Sequence, residues 1–240
     1  MTLKRKNNYK RQSERGNVLF LILIAVALFA ALSYAVTSST RTGGGDASDE
    51  TNLISTAEIT QYPNSLKTQI IRMSVSKNVD VTTLNFDPPS NFAATCNGTP
   101  SACVFHPLGG GAIRSNAPAD VMVSGTPGTW YYSGHYEVTN IGLSTATDPA
   151  GNDIIAFLPG IKSSICARLN TELGISGDTT HSADLDVTAA AQQMVNGYSI
   201  PSSEINIGTA GSTAALDGQP FGCITDSAGE YIYYHVLVER

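Results

Sequence analysis

The strongest pattern in the chain is a run of hydrophobic residues near its start. Residues 18–36 contain no charged side chain, and at 1.5 Å per residue such a run forms about 28 Å of helix, close to the roughly 30 Å of a bilayer core. The pattern therefore predicts a membrane-spanning helix. The alternatives are a buried core helix, which is rarely apolar on every face, and a secretory signal removed after Ala35, whose apolar part usually spans about 7 to 15 residues.

A second pattern follows between residues 48 and 78, where apolar residues recur mainly every three or four positions. They are Leu53, Ala57, Ile59, Tyr62, Leu66, Ile70 and Met73. This spacing predicts an amphipathic helix that packs on a sheet. The glycines at residues 43–45 predict a break before it, because each costs about 1 kcal/mol relative to alanine. Pro63 predicts a kink, or two shorter helices that meet near Tyr62.

Turn residues multiply after residue 79, and stretches rich in aromatic and β-branched residues lie between them. They predict strands at residues 121–123, 129–138, 154–158 and 231–238, and helical spacing predicts helices at 161–173 and 184–195. The expected fold class is α+β: an N-terminal transmembrane helix, an amphipathic helix, then a mainly antiparallel β-sheet head with one or two short helices. The predicted segments are a transmembrane helix at 17–42, a glycine-rich hinge at 43–47 and an extracytoplasmic head at 48–240.

Charge is distributed unevenly along the chain. Residues 1–16 form a basic leader with six Lys and Arg residues and one acid, Glu14, and the rest of the chain has 8 basic and 19 acidic residues, a net charge of −11. By the positive-inside rule the N-terminus lies in the cytoplasm and residues after Thr37 lie outside. The acidic remainder argues against nucleic-acid binding, which requires clustered cations.

The junction between the leader and the apolar run has a specific form. The leader ends in Glu14-Arg15-Gly16, and Asn17 opens the hydrophobic segment. This junction resembles the class III leader of type IV pilins and type II secretion pseudopilins, over about 25 residues. In that family a membrane-embedded aspartyl peptidase cuts after the glycine, and the new N-terminus is usually methylated. The resemblance implies that Gly16 is the last leader residue and Asn17 the first mature residue.

The resemblance also implies a function. The chain would be a structural subunit, not an enzyme, with its apolar helix packed among those of other pilin-like subunits in a pilus or secretion pseudopilus. Most members carry Glu at the fifth mature position, and here that residue is Leu21, which favours a minor or initiating subunit. The implied location is a bacterial inner membrane, with the head in the periplasm or outside the cell, and the implied partners are the membrane, a prepilin peptidase and other subunits.

A second interpretation uses the same sequence without the resemblance. A single-pass membrane anchor could carry an extracytoplasmic binding domain that has no filament role. Its acidic, loop-rich head would recognise a surface ligand or an envelope partner. Separately, Trp130, Tyr131, Tyr132 and Tyr136 could form a ligand-stacking face, although their alternating spacing favours the inner face of a sheet. We find no catalytic motif, so an anchored hydrolase has no support from the sequence.

Four cysteines follow the membrane segment: Cys96, Cys103, Cys166 and Cys223. An even number on the oxidising side of a membrane predicts two disulfides, and three pairings are possible. We favour Cys96 with Cys103, because Asn97, Gly98 and Pro100 can turn the short intervening chain. Cys166 would then pair with Cys223. Zinc is disfavoured because no two cysteines have the close spacing of zinc ligands.

Acidic residues near two loops raise a calcium hypothesis. Asp148, Asn152 and Asp153 lie in one loop and offer oxygen ligands of the kind that calcium prefers. A second loop offers Asp178, Asp184 and Asp186. Neither loop has the spacing of an EF-hand, so we predict no resident cofactor and retain calcium as a hypothesis.

Overall fold

The computed structural model describes residues 15–142, 151–195, 205–209 and 212–240. The chain divides into two compact units, Met1–Glu50 and Thr51–Arg240. The fold is α+β, as the sequence predicts, with an apolar N-terminal helical segment, a five-stranded mixed sheet, shorter helices and two disulfides.

The first helix, α1, covers Arg15–Lys77 and includes both helical patterns of the sequence. The break predicted at residues 43–45 is therefore wrong, because helical hydrogen bonds join main-chain groups and the glycines cost only about 1 kcal/mol each. Pro63 also lies inside α1, so the division into two shorter helices is wrong as well. Pro63 is buried, and Ile59 and Leu66 on either side of it lie in the core, where their burial offsets the lost hydrogen bond.

The sheet contains five strands in the order β3-β1-β2-β5-β4. They are β1 (Tyr131–Val138), β2 (Asp153–Pro159), β3 (Ile205–Ile207), β4 (Phe221–Thr225) and β5 (Tyr231–Val238). Neighbouring pairs are antiparallel except β3, which runs parallel to β1. The prediction of a mainly antiparallel sheet is confirmed, and β5 has the predicted bounds.

Two further α-helices are short: α2 (Phe92–Thr95) and α3 (Ser163–Glu172). The helix α3 confirms the prediction at residues 161–173, and its buried residues Ile165, Cys166 and Leu169 form one face. Short 3₁₀ turns occur at Val81–Thr83, Pro89–Asn91, Pro100–Ala102, Ala119–Val121, Ala190–Gln192 and Ala214–Leu216. The last two-thirds of the chain therefore consist mostly of strands and turns.

Both faces of the sheet are covered, because successive strand residues point to opposite faces. One cluster joins α1 and α3 to the sheet and includes Ile70, Tyr132 and Leu169. The other cluster includes Tyr136 and Phe157. The pairing of β1 with β2 shifts between Ser133 and Tyr136. Such an irregularity reverses which face later side chains point to, and for this reason Tyr132 and Tyr136 lie in different clusters although they are four residues apart.

Several predicted elements are wrong. Residues 121–123 form the end of a 3₁₀ turn with one isolated bridge from Met122 to Ile161, instead of a strand. The helix predicted at 184–195 is reduced to the turn Ala190–Gln192. The segment folds as a loop, held by bonds such as that from the side-chain amide of Gln193 to the main-chain carbonyl of Val187. The short strands β3 and β4 were not predicted.

Candidate functional site

The predicted processing pair lies at the beginning of α1. Gly16 and Asn17 follow Arg15, the first helical residue. Directly after them, Val18–Ser38 has a mean hydropathy of 2.7 and none of it is buried. Among the described residues this is the one helical segment long and apolar enough to cross a membrane, which is consistent with a single-pass anchor. The Thr37 hydroxyl donates to the Ser33 carbonyl at 2.7 Å, so its polar group is satisfied within the helix, as a bilayer requires.

The cysteines form the disulfides that the sequence favours. Cys96 bonds Cys103, and Cys166 bonds Cys223, so no described cysteine is free. The first disulfide closes a short surface loop. The second joins α3 to β4 inside the cluster that contains the buried face of α1. The cysteines therefore have a structural role in this head.

Two residues of the calcium hypothesis, Asn152 and Asp153, lie in the described part of the chain and make other hydrogen bonds. Asp148 lies outside the described residues. Asn152 and Asp153 are fully buried. The Asn152 side chain donates to the Gly134 carbonyl, and the two Asp153 oxygens accept from the main-chain N–H groups of Val138 and Arg240 at 3.0 and 3.1 Å. Within the described ranges no group of three acidic, His or Cys side chains has the geometry of a metal site, so calcium at this loop stays a prediction.

Asp153 has an unusual electrostatic environment. Burial raises the pKa of its carboxyl to about 7, the two main-chain N–H bonds oppose this shift, and the charges of Glu137 and Glu239 add to it. His235 on β5 shows the opposite effect. Burial, with a smaller contribution from the charge of Lys67, lowers the pKa of its imidazole to about 4. Both groups are therefore neutral in the folded head at mildly acidic pH.

The second acidic loop is also held by local bonds. Asp178 accepts from the Thr180 amide at 2.8 Å, and Asp186 accepts from the Thr188 hydroxyl at 2.8 Å. The neighbouring carboxyl of Asp226 raises the pKa of Asp184. The hydrogen bonds of Asp178 and Asp186 stabilise the turns of the loop.

One recess of the head lies between α1 and residues 115–118. It has a volume of about 340 Å³, and Trp130 lies at its wall. Its polar side chains are Glu58, Gln61, Tyr62, Ser65, Ser115 and Asn116. A neighbouring recess of about 310 Å³ shares Tyr62, Ser65 and Ser115 with it and adds Gln69 and residues 111–113. We call the two recesses together the Tyr62 groove.

Tyr62 is fixed at the centre of this groove. Its hydroxyl accepts from the Ser115 main-chain N–H at 3.2 Å and lies 3.2 Å from the Tyr132 hydroxyl. Burial raises the pKa of Tyr132 well above its ordinary value of 10, so Tyr132 remains a hydrogen-bond donor. The Tyr62 ring lies 5.5 Å from the Trp130 ring, which in turn lies 5.9 Å from Tyr233. The aromatic wall is therefore rigid.

Two buried polar atoms at the groove have no hydrogen-bond partner among the described residues. They are the indole nitrogen Nε1 of Trp130, a donor, and the amide oxygen Oε1 of Gln69, an acceptor. Both atoms have almost no accessible surface, so a molecule in the groove does not reach them unless their side chains move. The sequence predicted Trp130 as a ligand or core residue, and the structure places it in the core at the wall of the recess; its ligand role stays a prediction.

The rest of the groove could not be found from the sequence. Its residues come from α1, from the loop before β1 and from Trp130, and only the fold brings them together. No protein-family model matches this chain, and neither the curated proteins nor the solved structures contain a match.

Proposed function

We propose that this protein is a pilin-like or pseudopilin-like subunit, processed after Gly16 and assembled through its apolar helix. The observation that carries the proposal is α1, which has a fully exposed apolar stretch at Val18–Ser38 and is helical as far as Lys77. In the pilin family the membrane helix runs on into the head, and the continuation of α1 as a helix beyond its apolar stretch supports the proposal.

The proposed assembly depends on a change of surroundings for the apolar side chains. Before assembly, residues such as Leu28 and Phe29, which are 65% and 72% exposed, would contact lipid in a bacterial inner membrane. In a filament they would contact the same segment of neighbouring subunits, where close packing replaces lipid contacts. Leu21, in place of the usual Glu, leaves no carboxylate to pair with a neighbour's N-terminal amine, so we assign the protein to a minor or initiating position.

The first experiment measures the intact mass of the protein expressed with and without a prepilin peptidase. We expect the mass to fall by residues 1–16 only when the peptidase is present. The variant Gly16→Leu should remain full-length, because the peptidase requires a residue without a side chain at the cut. Ser13→Leu places the same bulk inside the leader and should be processed normally. A full-length wild-type product in the presence of active peptidase would refute the proposal.

The second experiment measures assembly. Cysteine pairs placed along Val18–Ser38, for example at Leu23 and Ala27, should cross-link processed subunits with each other or with major subunits, because the segment would be packed against neighbours. A processed protein that gives no cross-link in any pairing would instead fit the alternative function, an anchored binding domain outside a filament.

A further inference from the structure

We propose that Asn97 in the head is a site of spontaneous modification, at which the side-chain amide is converted to a carboxylate without an enzyme. Asn97 and Gly98 lie between Cys96 and Cys103, in the surface loop that the first disulfide closes. Both residues are exposed, whereas the two cysteines that anchor the loop are buried. The site is separate from Gly16 and from the apolar segment, so the inference goes beyond the proposed function and does not depend on it.

The reaction requires only these two residues and water, and asparagine is among the thermolabile residues of proteins. The main-chain nitrogen of Gly98 attacks the side-chain carbon Cγ of Asn97, a bond forms between them, and the bond from Cγ to Nδ2 breaks. Ammonia leaves with the proton that the Gly98 nitrogen gives up, and a cyclic succinimide remains. A water molecule then opens the ring at either carbonyl group, which gives an aspartyl or an isoaspartyl residue at position 97. Either product adds a negative charge beside the first disulfide.

Three features of the loop leave this reaction open in the folded head. The Gly98 main-chain N–H makes no hydrogen bond to any described residue, so the attacking nitrogen is not held by an acceptor. The exposed side chain of Asn97 makes none within the described ranges either, so its rotation breaks no bond. A Cβ atom placed on Gly98 would meet no atom within 4 Å. The main chain there can therefore rotate into the geometry of attack without a clash.

Other exposed asparagines of the head differ in these features. Asn116 is followed by Ala117, whose main-chain N–H donates to the Gly128 carbonyl at 2.8 Å, so the nitrogen that would attack is engaged. The side-chain amide of Asn140 donates to both carboxylate oxygens of Asp217, at 2.8 and 2.9 Å, so it is held away from the main chain. No other asparagine in the described part of the chain precedes a glycine. The structure therefore favours reaction at one described position.

Peptide mapping of the full-length protein tests the proposal. Purified protein with both disulfides intact is incubated at mildly alkaline pH, where the attacking nitrogen loses its proton more readily, and is then reduced and digested with trypsin. Asn97 falls in the tryptic peptide 78–114, whereas Asn196, which also precedes a glycine, falls in the peptide 169–240. We expect the first peptide to separate into asparaginyl, aspartyl and isoaspartyl forms, and fragmentation in the mass spectrometer should assign the change to position 97.

An unfolded reference measures how far the fold protects Asn97. The same protein, reduced and held in urea, reacts without the constraints of the loop. We expect the folded protein to react at a rate within about thirtyfold of this reference, which corresponds to about 2 kcal/mol of activation free energy, because no hydrogen bond has to break.

Variants test the route of the reaction. Gly98→Ala should slow the reaction of the folded protein at least about tenfold, because the added methyl group obstructs the attack and restricts the main-chain dihedral angles. Thr99→Ala leaves the Asn-Gly pair intact and should react at the wild-type rate. Gly16→Leu protein should also react at that rate, so a failure of processing and a failure of this modification are distinguishable.

Three results would overturn the proposal. One is a rate in the folded protein more than about thirtyfold below the unfolded reference, which would show that the loop protects Asn97. Another is an equal rate for the wild type and Gly98→Ala. The third is an aspartyl product without any isoaspartyl product, which would show direct hydrolysis of the side chain by water in place of attack by the Gly98 nitrogen.

Discussion

Two parts of the same helix have opposite relations to their surroundings. In Val18–Ser38 every apolar side chain is exposed, whichever way it points. In residues 59–73 of α1, the buried residues are Ile59, Pro63, Leu66, Ile70 and Met73, and they recur at helical spacing. Ile71, directly beside Ile70, is 54% exposed. A helix that is apolar all round needs an apolar environment on every side, whereas one with a single apolar face needs a partner only there.

The comparison shows that helical conformation alone says little about what holds a segment in place. Main-chain hydrogen bonds are the same in both parts. The second part is stabilised by the sheet and by α3, which share one hydrophobic cluster with it. The first part belongs to no such cluster among the described residues.

The largest effect should come from a charge in the buried face. Ile70→Asp places an unpaired carboxylate in the core, and we expect it to lower the free energy of unfolding by about 5 kcal/mol or to prevent folding. Ile71→Asp, one residue away and exposed, should change it by about 0.5 kcal/mol or less. Urea unfolding followed by Trp130 emission measures both. Equal effects of the two variants would contradict the assigned face of α1.

The next effect tests the disulfide beside that face. Replacing Cys166 and Cys223 by alanine should cost about 4 kcal/mol, because the bond spans 57 residues and restricts the unfolded chain. The matched double variant of Cys96 and Cys103, which are 7 residues apart, should cost only about 2 kcal/mol. The same unfolding measurement applies. A larger loss of stability for the Cys96 and Cys103 variant would show that local packing affects stability more than loop length does.

A charge in the exposed apolar part should act on membrane insertion instead of on the stability of the head. Leu28→Arg near the middle of Val18–Ser38 should reduce insertion by about 3 kcal/mol. Ser38→Arg at the end of the segment should have little effect, because its side chain can reach the interface. The fraction of protein that remains in membranes after carbonate extraction is the measurement. Normal retention of Leu28→Arg would contradict a membrane span.

Two buried groups of the sheet, Asp153 and His235, should change the free energy of unfolding with pH in opposite directions. With a folded pKa of about 7 against 3.8, Asp153 binds a proton in the folded state that the unfolded chain has released, so stability falls as pH rises between about 4 and 7. With a folded pKa of about 4 against 6.5, His235 has the opposite effect over nearly the same range. We expect the wild-type stability to be almost flat between pH 5 and 6.5 as a result.

Replacing either residue by a group that does not titrate should remove its contribution to the pH dependence of stability. Asp153→Asn should make stability rise by about 1 kcal/mol per pH unit between about pH 5 and 6.5, and His235→Gln should make it fall by a similar amount. Urea midpoints measured across this range test both signs. A flat profile in both variants would show that neither group has a shifted pKa.

The smallest effect concerns the glycines between the two parts of α1. Gly44→Ala should stabilise the helix locally by about 1 kcal/mol, because alanine has the higher helix propensity. Amide hydrogen exchange at residues 40–48 should slow by roughly fivefold as a result. Slowing confined to residue 44, or faster exchange, would indicate that the chain is not helical there.

The sequence predicts the elements whose pattern is long and uniform. The strand β5, with eight consecutive aromatic and β-branched or otherwise large residues, has its predicted bounds, and the favoured disulfides form. The strand β4 contains Gly222 and only five residues, and β3 has three, so neither carries a pattern that stands out from a loop. The glycine break failed because local propensity is a weak guide within a long helix.

The candidate site was less accessible to sequence reasoning than the fold. Trp130 was recognised as an aromatic residue of interest, but its neighbours Gln61 and Asn116 are separated from each other by more than fifty positions. Their meeting depends on how α1 lies on the sheet, which no local pattern encodes. The irregularity in β1 that moves Tyr136 to the opposite face from Tyr132 also has no clear sequence signal beyond Gly134.

The position of β5 has a consequence for how the head is made. This strand is the last element along the chain, yet it lies between β2 and β4 in the sheet. Until residues up to Val238 have left the ribosome, β2 has one free edge and β4 has no neighbouring strand of the sheet to pair with. The sheet of the head therefore cannot be completed before β5 has been synthesised, and a nascent polypeptide stalled before Tyr231 would leave unpaired edges open to chaperones or aggregation.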